Sequence, residues 1–333
     1  MELTKIAQVE KIVGKSPAPR DLKVMDYIDE HALRWLSYSH FAFIAFGKLG
    51  NIRLTATGGD EGFVSTLDSK HLKFPLSVLD EQSIVEQGLS FGSLFMVSGM
   101  DETLRVNGKV SCISDGIVTL AVEECYLHCA KAFRRSNFWL PESSEQSCNE
   151  IPTFLKKSKF LVLASINKSG QVDVSPKGDP ENFLIQEEGN FICLADRPGN
   201  RRIDSFRNIL EQPAIAFMAL VPGCQDMLEL NGTATLSTDD HLLEQFTVKG
   251  KRPKLVIKIA ADSKLIKPSI AIVKSTLWPA KAPRKDLKPA EIFKAHIKNS
   301  KESSLKAKVA RAAVSLPGAI EVGLEVDYKN NMY

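Results

Sequence analysis

The strongest constraint on the fold of this chain is an internal repeat. Ser39-His-Phe-Ala-Phe-Ile-Ala-Phe46 resembles Ser158-Lys-Phe-Leu-Val-Leu-Ala-Ser165, and Leu104-Arg-Val-Asn-Gly108 resembles Leu228-Glu-Leu-Asn-Gly232. A third pair of similar segments ends in a tryptophan in each copy. The three pairs occur in the same order, 119 to 139 residues apart. Because a repeat of this length corresponds to a whole domain, we interpret the chain as a tandem duplication.

Length and charge agree with two domains and a tail. The 333 residues are enough for two domains that each bury a core. We place the first domain at residues 1–140, a linker rich in Ser and Glu at 141–150, the second domain at 151–280 and a tail at 281–333. Residues 281–311 contain ten Lys and Arg against three acidic residues, although the whole chain carries only +3. The body is therefore mildly acidic and lacks the basic stripe of a nucleic-acid-binding protein.

Each copy follows the same order of secondary structure. A short helix, at 30–36 and at 151–157, leads into β-rich runs punctuated by Gly, Asn and Asp, and a second helix closes the copy. In the second copy we predict strands at 160–166, 172–175, 191–194, 214–220, 227–236 and 255–259, with a helix at 201–210. In the tail we predict two helices, around 290–299 and 303–313, and a short strand-like end. Many short strands without a βαβ rhythm indicate a mainly β fold with small antiparallel barrels.

Several classes of protein are disfavoured. The first twenty residues lack the apolar run of a signal peptide, and no apolar stretch approaches the ~20 residues that span a bilayer. The six cysteines form no Cys-x2-Cys pair, which argues against a zinc site and favours reduced thiols. We therefore expect a cytoplasmic protein without a metal ion, a membrane partner or a nucleic-acid partner.

Four segments resemble a known family. They are Asp173-Val-Ser-Pro-Lys-Gly-Asp-Pro180, Asp196-Arg-Pro-Gly-Asn-Arg-Arg-Ile-Asp-Ser-Phe-Arg-Asn208, Glu102-Thr-Leu-Arg-Val-Asn-Gly108 and His128-Cys-Ala-Lys-Ala132. Together they resemble the pyridoxamine 5'-phosphate oxidase-like FMN-binding split β-barrel proteins, and more narrowly the bacterial branch of probable FMN-dependent enzymes. The resemblance extends over about residues 30–279. It implies two tandem split β-barrels that form an intrachain pseudo-dimer, with FMN in the groove between them, and it leaves the substrate open.

The second copy carries residues suited to a flavin phosphate. A phosphate dianion needs several donors and nearby positive charge, which arginines and a helix N-terminus supply. The predicted phosphate-binding residues of the second copy are Ser175, Lys177, Gly178, Arg197, Asn200, Arg201, Arg202 and Ser205. The alternative is that these charges are simply solvated at the surface.

The two copies have lost different parts of this pattern. The first copy has Ala56-Thr-Gly-Gly-Asp60 in place of the lysine turn and an uncharged segment near 74–79 in place of the arginines. The second copy has Glu229 where the first has an arginine. We therefore predict one composite FMN site, built from the phosphate residues of the second copy and a set from the first. The first-copy set is Thr103, Arg105, Asn107, His128, Lys131, Arg134 and Arg135.

Three functions remain open from the residues. The favoured one is an FMN-dependent oxidoreductase acting on a small molecule that the sequence does not identify. The others are a non-catalytic flavin- or tetrapyrrole-binding protein and an interaction protein with a vestigial pocket. His128 and Lys131 are the weak catalytic candidates, although a histidine at the start of a helix is also a common packing residue. The fusion permits either a monomeric pseudo-dimer or a homo-oligomer.

Overall fold

The structure is a computed structural model that describes residues 1–14, 21–141, 148–199, 202–316, 318–330 and 332–333. Its strands are β1 (Glu2–Leu3), β2 (Phe41–Lys48), β3 (Asn51–Gly58), β4 (Ser65–Asp68), β5 (His71–Pro75), β6 (Ser90–Met96), β7 (Thr103–Ser114), β8 (Ile117–His128), β9 (Phe160–Ile166), β10 (Val172–Gly178), β11 (Ile185–Glu188), β12 (Phe191–Ala195), β13 (Ala214–Leu220), β14 (Asp226–Ser237) and β15 (Val256–Pro268). Its helices are α1 (Ile6–Val13), α2 (Glu30–Tyr38), α3 (Lys131–Ser136), α4 (Ile151–Lys157), α5 (Asp204–Glu211), α6 (Asp240–Glu244), α7 (Ile270–Ser275), α8 (Pro289–Asn299), α9 (Leu305–Ser315) and α10 (Ala319–Asn330), with a 3-10 turn at Leu76–Val78.

The strands form two antiparallel sheets with the same strand order. The first sheet runs β3-β2-β6-β7-β8-β5-β4, and the second runs β10-β9-β13-β14-β15-β12-β11. Apart from β1, which pairs with β14, each strand of one sheet thus has a counterpart at the same place in the other. The mainly β fold with two split barrels, which we call the first and second barrel, is confirmed.

Strand alternation explains why the central strands are apolar along their whole length. In β2, Ala42, Ile44 and Phe46 pack into the first barrel, whereas Phe41 and Phe43 pack into a third core shared by both barrels. Strand β9 divides its side chains between the second barrel and this shared core in the same way. Successive residues of a strand point to opposite faces, so a strand between two cores is apolar on both. The shared core holds the two barrels together.

Both Asn-Gly pairs inside strands mark bulges. The register between β7 and β8 shifts at Asn107/Gly108, and the register between β14 and β15 shifts at Asn231/Gly232. An extra residue at these points bends both long hairpins in the same way.

Four sequence expectations differ from the structure. Strand β1 pairs with β14, so the first residues of the chain pack on the second barrel and not on the first. Strand β11 was not predicted, and β15 continues nine residues beyond the predicted end at residue 259. The end of the tail, predicted as strand-like, is the helix α10. The linker prediction at 141–150 falls largely outside the described residues.

The tail packs mainly on the first barrel. Leu287 and Ile292 join the core of that barrel, and His296 lies 3.4 Å from Asp29 in a buried contact. Among the residues that the structure describes, no helix combines the length and apolarity needed to cross a membrane.

Candidate functional site between the two barrels

A cavity of about 540 Å³ lies where the first barrel meets the second. The first barrel contributes the end of β8 and helix α3, and the second contributes β10, the segment after β12 and the start of α5. Sites that hold small molecules and cofactors commonly have volumes of roughly 300–1,000 Å³. The cavity is therefore large enough for a mononucleotide.

Positive charge dominates the cavity wall. Eight described side chains are cationic and three are acidic. The cationic ones are Lys131, Arg135, Lys177, Arg197, Arg202, Lys251, Arg252 and Lys254, and the acidic ones are Asp179, Asp196 and Asp327. A concave surface with this excess of one sign attracts a ligand of the opposite sign. The wall is suited to an anion.

Strand β10 and helix α5 present the polar groups of the second barrel. Val172 and Val174 point into the shared core, and alternation places Ser175 and Lys177 on the opposite face, at the cavity. Helix α5 begins without a side-chain cap, and Ser205 in its first turn lines the cavity. Uncapped helix N–H groups and a nearby hydroxyl are donors for an anion.

Gly178 serves the contact between the barrels. A Cβ atom at this residue would lie 2.0 Å from the carbonyl oxygen of Ala132 in α3, a distance that no side chain tolerates. Glycine thus lets the first-barrel helix reach the end of β10. The predicted role of Gly178 in cofactor binding remains a prediction, but the close approach alone requires a glycine here.

Burial changes the protonation of several cavity groups. Burial, together with the positive charge of Arg135, lowers the pKa of Lys177, and burial raises the pKa of Asp196 to about 6. Asp179 accepts a hydrogen bond of 2.7 Å from Nε of Arg197, yet burial still raises the pKa of its carboxyl group. The buried Nη2 of Arg197 has no hydrogen-bond partner among the described residues. This guanidinium can therefore donate to a ligand.

His128 and Lys131 both line the cavity. Burial and the nearby cations Arg105 and Lys23 hold the pKa of His128 well below its usual range, so its imidazole is neutral at pH 7. Its Nδ1 is buried without a partner in the described part of the chain. Nζ of Lys131 lies 2.8 Å from the carboxylate of Asp327 in the tail. Both candidates are thus in place to meet a ligand.

Arg105 lies behind the cavity wall, contrary to our expectation. Its side chain is 1% exposed, and its Nη1 donates hydrogen bonds of 2.7 Å to Tyr126 Oη and to Asp173 of the second barrel. The carbonyl of Val174 accepts a further bond from it. Arg105 therefore joins the barrels through a buried ion pair, and Arg202 lies 4.3 Å from the Tyr126 ring on the cavity side.

Three other first-copy residues do not line the large cavity. Thr103 is buried, and its hydroxyl has no partner among the described residues. Arg134 binds Asp101 at 3.0 Å on the outer side of α3. Asn107 instead lines a second cavity of about 180 Å³, which Arg202 also lines. The comparison of the two copies predicted these residues at the site, and whether they bind a ligand remains a prediction.

Of the remaining predicted residues, Arg135 lines the cavity and donates to the carbonyl of Gly178 at 2.8 Å. Asn200 and Arg201 lie outside the described residues. The cluster Lys251-Arg-Pro-Lys254 and the tail residues Asp327 and Tyr333 also line the cavity and were not predicted. The basic run before β15 was a visible signal for the first group, whereas nothing in the sequence pointed to the tail.

At the corresponding end of the barrel pair, the described residues pack against one another. There, helix α7 of the second barrel meets β3 of the first, and Gly58 approaches the carbonyl of Ala271 as Gly178 approaches Ala132. Thr57 stands in the place of Lys177, and its hydroxyl donates to the carbonyl of Val78 at 3.1 Å. We call this region the closed end, and the cavity region the open end.

Backbone and one carboxylate fill the closed end. Asp80 N–H donates to the carbonyl of Ala56, and Thr57 forms a β-bridge with Leu79. The Asp80 carboxylate accepts hydrogen bonds from Ser269 Oγ (2.5 Å) and Ala271 N–H (2.7 Å) at the start of α7. The chain's own carboxylate thus takes the position at a helix start that suits an anion.

Fold and site together define a class: a pair of split barrels in one chain with a cationic cavity at one end of their interface. Residues 149–267 match the family described as Pyridoxamine 5'-phosphate oxidase. This match covers the second barrel and confirms the resemblance seen in its motifs. No curated protein matches the chain.

Solved structures of single-barrel length are similar to part of the chain. HupZ from Group A Streptococcus has 13% identity and a TM-score of 0.30, over 36% of this chain and 95% of its own. General Stress Protein 26 from Bacillus anthracis has 17% identity and a TM-score of 0.28, over 36% and 92%. HutZ from Vibrio cholerae, described as a heme storage protein, has 12% identity and a TM-score of 0.26, over 35% and 91%.

Proposed function

We propose that the open end binds one FMN per chain and that the protein is an FMN-dependent oxidoreductase. The observation that carries the proposal is the cationic cavity, with Lys177, Arg202, Ser205 and the uncapped start of α5 on one side. These groups belong to the barrel that matches the pyridoxamine 5'-phosphate oxidase family.

The phosphate of FMN fits the second-barrel side of the cavity. A dianion there would accept bonds from Lys177, from the unpaired Nη2 of Arg197 and from the first turn of α5. Hydrogen bonds that involve a charged group each contribute about 1.5–3 kcal/mol, so each lost cation weakens binding roughly ten- to hundredfold. A bound phosphate would also counteract the lowered pKa of Lys177, because a nearby anion favours the protonated amine.

The first barrel would supply the other half of the site. His128, Lys131 and Arg135 reach the same cavity from β8 and α3, so neither barrel forms it alone. At the closed end, the Asp80 carboxylate already occupies the start of α7. We therefore propose a stoichiometry of one.

Bound flavin would supply hydride and electron transfer, and the chain would orient it and supply protons. Neutral His128 would present its buried, unpartnered Nδ1 to the ligand. Asp196, with a pKa of about 6, changes charge near neutral pH. A tetrapyrrole ligand is less suited to this wall, because the eight cations carry more positive charge than its carboxylates would balance.

The test is a titration of the purified protein with FMN and with riboflavin. We expect one FMN per chain and at least hundredfold weaker binding of riboflavin, which lacks the phosphate. Lys177→Met should weaken FMN binding tenfold or more.

Lys274→Met is the matched control, because this lysine lies on α7 at the closed end, where its Nζ donates to the carbonyl of Ser77 at 3.4 Å. Its FMN affinity should equal that of the wild type. Two FMN per chain, equal affinity for riboflavin, or tighter binding of hemin than of FMN would each contradict the proposal. The flavin could also bind without being reduced by NADH or NADPH or oxidised by oxygen. That result would contradict the oxidoreductase activity and keep the FMN binding.

A further inference from the structure

The last helix of the chain reaches across the open end. Asp327 and Tyr333 both line the cavity, although the rest of the tail packs on the outside of the first barrel. We call residues 327–330 and 332–333 together the α10 strap.

On the first barrel, the strap binds two cationic side chains of α3. The carboxylate of Asp327 lies 2.8 Å from Nζ of Lys131, whose side chain is only 2% exposed. Nη1 of Arg135 donates to the carbonyl of Met332 at 3.1 Å. The strap therefore contacts Lys131 and Arg135, the same side chains that our proposed function assigns to ligand binding.

On the second barrel, the strap contacts the basic residues of the opposite wall. Nζ of Lys251 donates to the carbonyl oxygen of Tyr333 at 3.1 Å. The guanidinium of Arg197 lies 5.6 Å from the centre of the Tyr333 ring, and Nζ of Lys249 lies 5.8 Å from it. The strap thus spans from one barrel to the other over the cavity.

One residue anchors the strap next to the cavity. The ring of Tyr328 packs 4.2 Å from the guanidinium of Arg134, and its hydroxyl donates to Glu102 at 3.3 Å. Tyr328 is buried, whereas the Asp327 side chain is 41% exposed. The strap can therefore move its carboxylate away without losing its whole attachment.

We propose that the α10 strap and an anionic ligand compete for the cavity, so that binding of the ligand releases the strap. This inference rests on the proposed function. Lys131 pairs with a carboxylate of the chain itself, and Arg135 and Lys251 donate hydrogen bonds to two of its carbonyl oxygens. A phosphate brought into the same cavity would stand beside Asp327, and two like charges at close range repel. Coupling of this kind is reciprocal, so a chain with a weakened strap binds the ligand more tightly.

The experiment compares the full-length wild type with Asp327→Asn by FMN titration. Removal of the competing carboxylate leaves Lys131 free to meet the ligand, and we expect FMN to bind about tenfold more tightly, within the usual range of such couplings. Glu325→Gln is the matched control, since Glu325 is an exposed acid on the same helix and does not line the cavity. Its affinity should stay within about twofold of the wild type, well below the effect of a coupled residue.

Amide hydrogen exchange of the peptide that contains the strap gives an independent measurement. We expect FMN to accelerate exchange there, and inorganic pyrophosphate to do the same, because it needs only the cations. Equal FMN affinity of Asp327→Asn and the wild type, or slower exchange in the strap on binding, would overturn the inference.

The two proposals fail separately. If neither the wild type nor Asp327→Asn binds FMN, the proposed function is wrong, and pyrophosphate still tests the strap. Faster exchange with pyrophosphate then supports the strap for another anion, and unchanged exchange overturns it.

Discussion

The open and closed ends are built from equivalent elements, but the open end encloses a cationic cavity and the closed end is packed around a carboxylate. At the open end, α3 meets β10 and leaves a cavity lined by eight cations. At the closed end, α7 meets β3, and Asp80 caps the helix while its backbone pairs with the strand. Equivalent elements can thus enclose a cationic cavity at one end of the interface and a packed contact at the other.

The difference lies in a few positions. Thr57 replaces Lys177, and the short 3-10 turn Leu76–Val78 replaces the longer segment that leads to α5. With less chain between β5 and β6, residues 79–81 lie directly against β3. The shorter connection between β5 and β6 and the absence of a lysine at position 57 therefore distinguish the packed closed end from the cavity at the open end.

The largest expected difference between the ends concerns their ion pairs. Arg105→Met removes the partner of Asp173, whose side chain is 10% exposed, and should lower the free energy of unfolding by about 3–5 kcal/mol. The closed-end counterpart Glu229 pairs with Lys267 at 2.6 Å, but the Lys267 side chain is 23% exposed. Glu229 itself is 7% exposed, so Glu229→Gln should cost the value of a hydrogen bond to a charged group, about 1.5–3 kcal/mol. Urea unfolding measures both, and equal costs would show that the two pairs are equivalent after all.

The second comparison tests the helix contacts. Gly178→Ala would put a methyl group 2.0 Å from the carbonyl oxygen of Ala132, whereas Gly58→Ala would put one 2.8 Å from that of Ala271. We expect losses of about 3 kcal/mol and about 1 kcal/mol in the free energy of unfolding. The same urea titrations decide this, and a smaller loss for Gly178→Ala would mean that α3 is loosely held at the open end.

The third comparison is a pH dependence. Burial lowers the pKa of His40 to about 4, and the second barrel has Lys159 at the corresponding position. Between its ordinary pKa of about 6.5 and the folded value, the unfolded chain binds the proton more readily, so stability falls as the pH falls. From about pH 7 to about pH 5 the loss from this residue should be about 2 kcal/mol.

His40→Gln isolates this contribution. The variant lacks the titrating ring but retains other groups such as His128, whose pKa is shifted in the same direction. Its free energy of unfolding should therefore change about 2 kcal/mol less between the two pH values than that of the wild type. If the wild type and His40→Gln showed the same pH dependence of the free energy of unfolding, groups other than His40 would be responsible for it.

The smallest effect concerns Asp80. Asp80→Ala removes the acceptor for Ser269 Oγ and Ala271 N–H, and loss of such a cap costs about 1–2 kcal/mol. Asp80→Asn keeps one carbonyl acceptor and should cost less. FMN affinity should stay unchanged in both variants, and a change would show that the closed end takes part in binding.

Much of the fold could be predicted from residue patterns. Strands 160–166 and 214–220 and helix 151–157 agree with β9, β13 and α4 at both ends. Continuous apolar runs and turn residues are local signals, so a single sequence is enough to read them. Strand β11 and the far half of β15 carry charged residues such as Glu187 and Lys264, which weaken that signal.

The site could be predicted in part. Ser175, Lys177 and Arg202 line the cavity, and so do His128 and Arg135, because motifs on short loops and helix starts stay near the groove they border. Arg105 does not line the cavity, because its side chain instead bonds to Asp173 of the second barrel. The strap was missed because it approaches the site from far along the chain, where no neighbouring motif marks it.

By itself, the sequence determined the duplication, the β-rich character of each copy and the uneven distribution of positive charge. These are properties of local composition and repetition. The tertiary structure decided which end of the interface stays open, which arginine is buried in an ion pair and which tail residue meets Lys131. Each of these depends on how two barrels and a tail pack in space, and contacts between distant segments leave no local pattern in the chain.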